Sequence, residues 1–145
     1  MSQPPASPIA SARHARILHS ALVLGVALVG VVFFFVVRTI PPSFPRASIL
    51  SFVTAGLGLG NLAAALVLFR SKIPQRSVDQ TPDDYWTSNE VRIALVTWAI
   101  IEGGGLVAWV GYLLTGTPVP AGVGVLAIAA LMLVRPSRLE GDAGN

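Results

Sequence analysis

VRIALVTWAIIEGGGLVAWVGYLL, residues 91–114, is the stretch that decides the fold. It contains two charged residues, Arg92 near its start and Glu102 at its middle. An apolar run of 24 residues is long enough to cross a bilayer as an α-helix. At about 1.5 Å per residue, Glu102 lies ~16 Å from the start of the run, near the middle of a membrane. A carboxyl group at that depth is costly, and this marks Glu102 as a candidate functional residue.

The composition of the whole chain places it among membrane proteins. The 145 residues are 53% hydrophobic and only 12% charged, whereas soluble domains carry about 25% charged residues. The basic residues lie singly or in pairs beside apolar runs, which indicates topology signals rather than a nucleic-acid partner. Cysteine is absent and there are two histidines, so we expect no disulfide, no metal and no cofactor.

Three further apolar runs each predict a membrane-spanning helix. Together with the first stretch they give four predicted helices, at about 17–37, 49–69, 91–114 and 119–134. The connections at 38–48 and 115–118 are short and contain proline, which ends helices. The predicted fold is therefore an all-α membrane protein made of two helical hairpins.

The remaining segments are polar. The loop at 70–90 carries a helix start at Thr81 and Pro82, a T-x-x-E capping box at 87–90, and two aromatic residues suited to the lipid headgroups. We predict a disordered tail at 1–12, a transmembrane domain at 13–138, and a C-terminal tail at 139–145.

The basic residues predict the orientation. Arg38 and Arg46 lie on one side of the predicted helices. Eight lie on the other: Arg13, Arg16, Arg70, Lys72, Arg76, Arg92, Arg135 and Arg138. The positive-inside rule then places both termini and the 70–90 loop in the cytoplasm, and the protein in the inner membrane as a multi-pass protein.

Small and aromatic residues predict how the helices pack. Gly56 and Gly60 form a G-x-x-x-G motif in the second helix, which allows close approach of helices in lipid. In the third helix, residues at spacings of three and four form a stripe that indicates a helix–helix seam: Leu95, Trp98, Glu102, Gly105, Trp109 and Tyr112. We expect the packing residues to be Gly56, Gly58, Gly60, Trp98, Gly103, Gly104, Gly105 and Trp109. Gly30 of the first helix is expected to have no packing role.

Glu102 has two interpretations. It either bonds a neighbouring helix as a packing residue, or it is a protonatable or cation-binding carboxyl. Depth along the helices places Gly58 level with Glu102 and Asn61 about one turn deeper. We therefore expect Asn61 to bond the carboxyl, or alternatively to bond within its own helix or to any adjacent helix. His19, near the end of the first helix, is expected to be interfacial and solvated, with a proton relay as the alternative.

Two resemblances accompany these residues. The segment from Tyr85 to Pro136, with Glu102 and the sequence LLTG at 113–116, resembles small uncharacterised bacterial four-helix membrane proteins. The glycine-rich second helix, basic loop and midplane carboxyl resemble the proteolipid subunit c of rotary ATP synthases. That resemblance implies proton or sodium-ion binding at Glu102, although this chain has a longer loop and two additional helices.

No nucleotide loop, catalytic nucleophile or metal spacing is present in the sequence, so we expect a protein that is not an enzyme. The first hypothesis is a helix-packing or interaction subunit, with the bilayer and either a second copy or another membrane protein as partner. The alternative is a proton- or cation-handling component centred on Glu102. The short fourth helix leaves open a third class, a lipid or small-molecule binder.

Overall fold

The computed structural model describes residues 12–87 and 92–141, and all regular elements in those residues are helices. The elements are α1 (Ala12–Thr39), α2 (Ser48–Ala63), α3 (Pro82–Thr87), α4 (Arg92–Thr115), α5 (Pro118–Leu133) and α6 (Pro136–Leu139). α2 continues as a π-helical turn, Ala64–Phe69, and a 3-10 turn, Arg70–Lys72. The predicted all-α fold class is confirmed.

Three helices are long and apolar enough to cross a membrane: Ala12–Thr39, Ser48–Lys72 and Arg92–Thr115. α5 is equally apolar but has 16 residues, which is ~24 Å of helix. The chain is therefore a helical membrane protein with three candidate spans and one shorter apolar helix. The predicted capping box at 87–90 lies largely outside the described residues, as does the predicted tail at 1–12 apart from Ala12, which begins α1.

α4 lies at the centre of the bundle and contacts α1, α2 and α5. Of its apolar stretch, 44% is buried inside the protein, compared with 11% for α1 and 22% for α2. Trp98, Gly105, Trp109 and Tyr112 from the predicted stripe are all buried. α4, which includes most of the apolar stretch 91–114, is thus the helix around which the others pack.

The two connections at one end of the bundle are bonded to each other, and we call this end the turn end. The backbone N–H of Phe44 donates to the carbonyl of Leu114 at 2.9 Å, and Ser51 and Thr117 share a hydrogen bond of 2.6 Å. Gly116 follows α4 with φ of 66°, a left-handed conformation that glycine adopts without steric cost. A side chain there would also press on Pro42, at 2.8 Å. The opposite end, with α3, α6 and the 73–81 loop, is the loop end.

The G-x-x-x-G prediction is wrong for the contact between α2 and α4. A Cβ built on Gly56, Gly60 or Gly103 meets no heavy atom within 4 Å, so these glycines face away from the bundle. The buried glycine of α2 is Gly58, which is about 200° around the helix from both Gly56 and Gly60. α2 and α4 are in contact as predicted, but through the face of α2 that carries Gly58 rather than the face that carries Gly56 and Gly60.

α2 and α4 are in close contact at Gly58 and Gly104, and again at Thr54 and Gly111. A Cβ on Gly58 would lie 3.0 Å from the Gly104 carbonyl oxygen, and a Cβ on Gly104 would lie 3.0 Å from that of Gly58. Gly105 serves a different neighbour, because its Cβ would meet Ala127 of α5 at 2.8 Å and Val26 of α1 at 3.1 Å. Two successive glycines thus let α4 approach three helices.

Candidate functional site

Glu102 and Asn61, the predicted polar pair, face different directions. A Cβ on Gly104 would lie 2.9 Å from the Cβ of Asn61, so Asn61 packs against the Gly104 side of α4. Glu102 is two residues earlier, about 200° around the same helix. The predicted Asn61–Glu102 bond is therefore wrong. Position along the helix axes places Asn61 near the depth of Glu102, but it does not determine the direction in which either side chain points.

Glu102 is partly buried on α4 and has no hydrogen bond or ion pair to any residue that the structure describes. It lies beside the exposed face of α4, which includes Val96, Ala99 and Val110. A carboxyl at membrane depth without a partner in its own bundle is open to an ion, to water, or to a group from another chain. Both interpretations from the sequence remain compatible with this position.

The Trp109 indole lies against glycines from two helices. A Cβ on Gly30 of α1, or on Gly124 of α5, would come within 2.5 Å of the indole Cε2. The expectation that Gly30 has no packing role is therefore wrong: a flat aromatic ring occupies the space that its missing side chain leaves. The buried Nε1 of Trp109 has no hydrogen-bond partner among the described residues.

Trp98 is buried in a different way. Its Nε1 donates to the carbonyl of Val134 at 2.8 Å, where α5 ends. Its ring lies edge-on to His19, with ring centres 4.9 Å apart, and 5.8 Å from the ring of Trp86. Trp98 thus combines packing with a polar bond, whereas Trp109 fits by shape.

A buried cluster at the loop end was not predicted. Glu140, immediately after α6, is 6% exposed and accepts hydrogen bonds from Arg16 Nη2 at 2.6 Å and Trp86 Nε1 at 2.9 Å. We call Arg16, His19, Trp86, Trp98 and Glu140 the loop-end cluster. The predicted C-terminal tail from 139 begins too early, because the buried carboxylate of Glu140 accepts from the buried indole of Trp86 and from the exposed guanidinium of Arg16.

His19 is buried rather than solvated, which corrects its predicted role. It is 5% exposed, and its ring N–H donates to the carbonyl of Leu131 at 3.0 Å. Hydrogen bonding to that carbonyl holds α1 against the end of α5. The chemistry of the loop-end cluster is therefore structural, because each polar contact joins one helix to another.

α3 is held to the bundle by both backbone and side-chain bonds. The backbone N–H of Ala12 donates to Asp83 at 2.8 Å, and the hydroxyl of Tyr85 donates to the carbonyl of Pro74 at 2.8 Å. Tyr85 and Trp86 are each 2% exposed, so both rings pack against the protein, and their position at the depth of the headgroups stays a prediction. Burial, together with the charge of Glu140, raises the pKa of Tyr85 to about 12.

The predicted start of α3 is confirmed, and its cap is fuller than expected. Thr81 accepts from the Asp84 backbone N–H at 3.2 Å, and the Asp84 carboxylate accepts from the Thr81 hydroxyl at 2.6 Å and backbone N–H at 3.2 Å. This is a capping box, with aspartate in the position more often taken by glutamate. The hydrogen bonds from Thr81 lower the pKa of the Asp84 carboxyl.

Within the residues described, no three His, Cys, Asp or Glu side chains are grouped closely enough to hold a metal ion. The sequence could have signalled the loop-end cluster in one respect only: Glu140 is an acid that follows two arginines, Arg135 and Arg138, near the chain end. Nothing in its spacing indicates that Arg16 or Trp86, distant in the chain, would meet it.

Comparison with known proteins gives no relative. No family model, curated protein or solved structure matches this chain. Both resemblances inferred from the sequence stay predictions.

Proposed function

We propose that this protein is a non-enzymatic inner-membrane subunit that spans the bilayer four times and associates with a second copy of itself through α2. The single observation that carries the proposal is the outward position of Gly56 and Gly60. Both lie on one line along α2, which we call the α2 outer face: Ile49, Val53, Gly56, Gly60 and Val67. No other helix of the described chain covers this face.

The two glycines, rather than the apolar side chains, support the proposal, because an exposed valine or isoleucine is ordinary on a helix in contact with lipid. Ile49, Val53 and Val67 are 80%, 51% and 69% exposed, as expected for a face in contact with lipid. Glycine in a helix interior costs about 1 kcal/mol relative to alanine. Two glycines four residues apart lower the surface between the valines, which suits close approach of a second helix.

The test is the association of labelled copies in liposomes. The chain lacks cysteine, so a single Ser77→Cys variant in the exposed loop can carry a donor or an acceptor dye. We expect energy transfer between copies, and its loss in Gly56→Leu and Gly60→Leu. Gly25→Leu and Gly122→Leu are matched controls, because these glycines also meet nothing within 4 Å but lie on α1 and α5.

None of the four leucine variants should unfold at a lower detergent concentration than the parent, because each new side chain meets open space and leucine favours a helix over glycine. A loss of energy transfer would then report assembly rather than folding. Equal energy transfer in all of them would refute self-association through α2. If copies do not associate but a different membrane protein co-purifies in mild detergent and is lost with Gly60→Leu, the α2 outer face is an interface and the partner is not a second copy.

The proposed topology has both termini in the cytoplasm. Single cysteines at Ser7, Ser77 and Ser137 should then react with an impermeant maleimide only after the cytoplasmic side is opened. A cysteine at Ser43, at the turn end, should react from outside in intact cells. Labelling of Ser77→Cys in intact cells would reverse the proposed orientation.

Glu102 supports a second candidate function, the binding of a proton or cation. The observation in its favour is a partly buried carboxyl that has no partner within the described bundle. A hydrophobic carbodiimide should modify Glu102 in the membrane and leave Glu102→Gln unmodified. Proton or sodium flux in liposomes that is lost in Glu102→Gln would favour this function over packing, because glutamine preserves the hydrogen-bonding capacity and the size.

A further inference from the structure

A groove runs along the outside of the bundle between α1 and α5. Its section at the loop end has a volume of about 630 Å³. The polar side chains that line this section are Arg16, His19, Ser20, Arg135 and Ser137, and His19 is already bonded to the carbonyl of Leu131. Arg135 is exposed and has no ion pair among the residues described, whereas Arg16 shares its charge with Glu140. One end of the groove therefore offers an unpaired guanidinium beside two hydroxyl groups.

Beyond this polar end the lining becomes apolar, with Val23, Leu24 and Ala27 on α1 and Met132 on α5. Ala27 lies ~16 Å along α1 from Arg16, and half of a hydrocarbon core is about 15 Å thick. The distance from the cationic end to the end of this section thus equals the depth of one leaflet.

A second section continues from Ala27 toward the turn end, with a volume of about 440 Å³. It is lined by Gly30, Phe34 and the ring of Trp109, and Ala27 belongs to both sections. The groove is open there because Gly30 has no side chain and the indole lies flat behind it. An apolar chain that enters at the polar end meets no polar side chain along this section.

We infer that this groove binds one anionic phospholipid, with its phosphate at Arg135 and Arg16 and an acyl chain along α1 and α5. Arginine matches phosphate oxygens with two parallel N–H groups, and basic pockets between membrane helices favour anionic headgroups. Among the residues that the structure describes, no free carboxylate lines the polar end to receive a choline or ethanolamine cation, because Glu140 is buried and already bonded. A second copy of the chain fits less well, since its own loop end is also basic.

The test is native mass spectrometry of the full chain released from micelles that contain phosphatidylglycerol or phosphatidylcholine with identical acyl chains. We expect one phosphatidylglycerol molecule to be retained in preference to phosphatidylcholine. Arg135→Gln should lower that retention about fivefold, the effect of one basic residue at a membrane surface. Arg138→Gln is the matched control, because Arg138 is exposed on α6 and does not line the groove.

The acyl section is tested separately. Ala27→Leu fills the groove where its sections meet and should lower the retention of both lipids, whereas Ala21→Leu, on an exposed part of α1, should change neither.

Several results would overturn the inference. These are equal retention of the two lipids, equal effects of Arg135→Gln and Arg138→Gln, or displacement of phosphatidylglycerol by millimolar inorganic phosphate, which would show a simple anion site. A lipid-independent disulfide dimer of Val31→Cys, at the second section, would show instead that a second copy fills the groove.

Discussion

Gly30→Ala is the substitution for which the structure and simple reasoning about glycine motifs disagree most. The new Cβ would lie 2.5 Å from the indole Cε2 of Trp109, whereas carbon atoms in contact are about 3.5–4.0 Å apart. The overlap is therefore about 1 Å or more. The same ring carbon is equally close to the Cβ position of Gly124 on α5, so relief requires movement of the ring or of a helix.

Overpacking of this kind costs about 1–3 kcal/mol of unfolding free energy. Gly60→Ala should have the opposite sign, because its Cβ meets nothing within 4 Å and alanine favours a helix over glycine by up to about 1 kcal/mol. Unfolding by sodium dodecyl sulfate in mixed micelles, followed by circular dichroism, measures both free energies under the same conditions.

A Trp109→Phe background completes the test. The smaller ring should recover part of the loss in Gly30→Ala, with a coupling free energy of about 0.5–3 kcal/mol between the two positions. If Gly30→Ala is as stable as Gly60→Ala, or if its cost is unchanged when Trp109 is phenylalanine, then the indole does not occupy the space beside Gly30 and the described packing of α1 on α4 is wrong.

Three further predictions concern buried polar groups. Trp98→Phe should cost about 1–3 kcal/mol more than Trp109→Phe in the same unfolding assay, because it leaves the Val134 carbonyl without its donor while Trp109 Nε1 has no bond to lose. Glu140→Ala should lower the thermal unfolding midpoint in detergent more than Glu140→Gln does, since glutamine still offers an acceptor to Trp86; equal losses would contradict that role. Because the pKa of Tyr85 is raised from 10.0 to about 12, its stabilising contribution is complete below pH 10 and is lost as pH rises through 12. Tyr85→Phe should therefore flatten the fall in stability between pH 10 and 12, and an unchanged slope would contradict the burial of its hydroxyl.

The helices could be predicted from the sequence because a bilayer sets their length. Runs of about 20 apolar residues are required to cross it, and proline and charge mark where the runs end. The same physics hides which side of a helix faces inward. In water a polar face would reveal the outside, but in lipid the outward face of a helix is apolar, so the three glycines of α2 carry no label of their own. Gly58 is distinguished by its contacts with Gly104 on α4 and Val123 on α5, on the buried face that also carries Ser51 and Thr54.

The loop-end cluster could not be predicted for a different reason. It joins Arg16, Trp86 and Glu140 from three separate segments, and their meeting depends on how α3 and α6 fold back on the bundle. Each of these residues has an ordinary role when it is considered alone: an arginine near the membrane, an interfacial tryptophan, an acid in a tail. The buried carboxylate of Glu140 joins them into one bonded group, and its burial is a property of the assembled helices.

Glu102 is the residue that the fold does not account for. Placing an acidic side chain at the centre of a membrane helix costs several kcal/mol of free energy. The described bundle provides no hydrogen bond or ion pair to Glu102. The loop-end cluster shows the contrast, because the carboxylate of Glu140 is fully engaged by Arg16 and Trp86. A partner for Glu102 is therefore not among the described residues, and the candidates are water, a bound proton or cation, and a group from a second chain. A contact with a second chain would tolerate glutamine at this position, whereas a site for a proton or cation would lose its function. The proton or sodium flux of Glu102→Gln in liposomes, together with the association of its copies, therefore decides between these two roles.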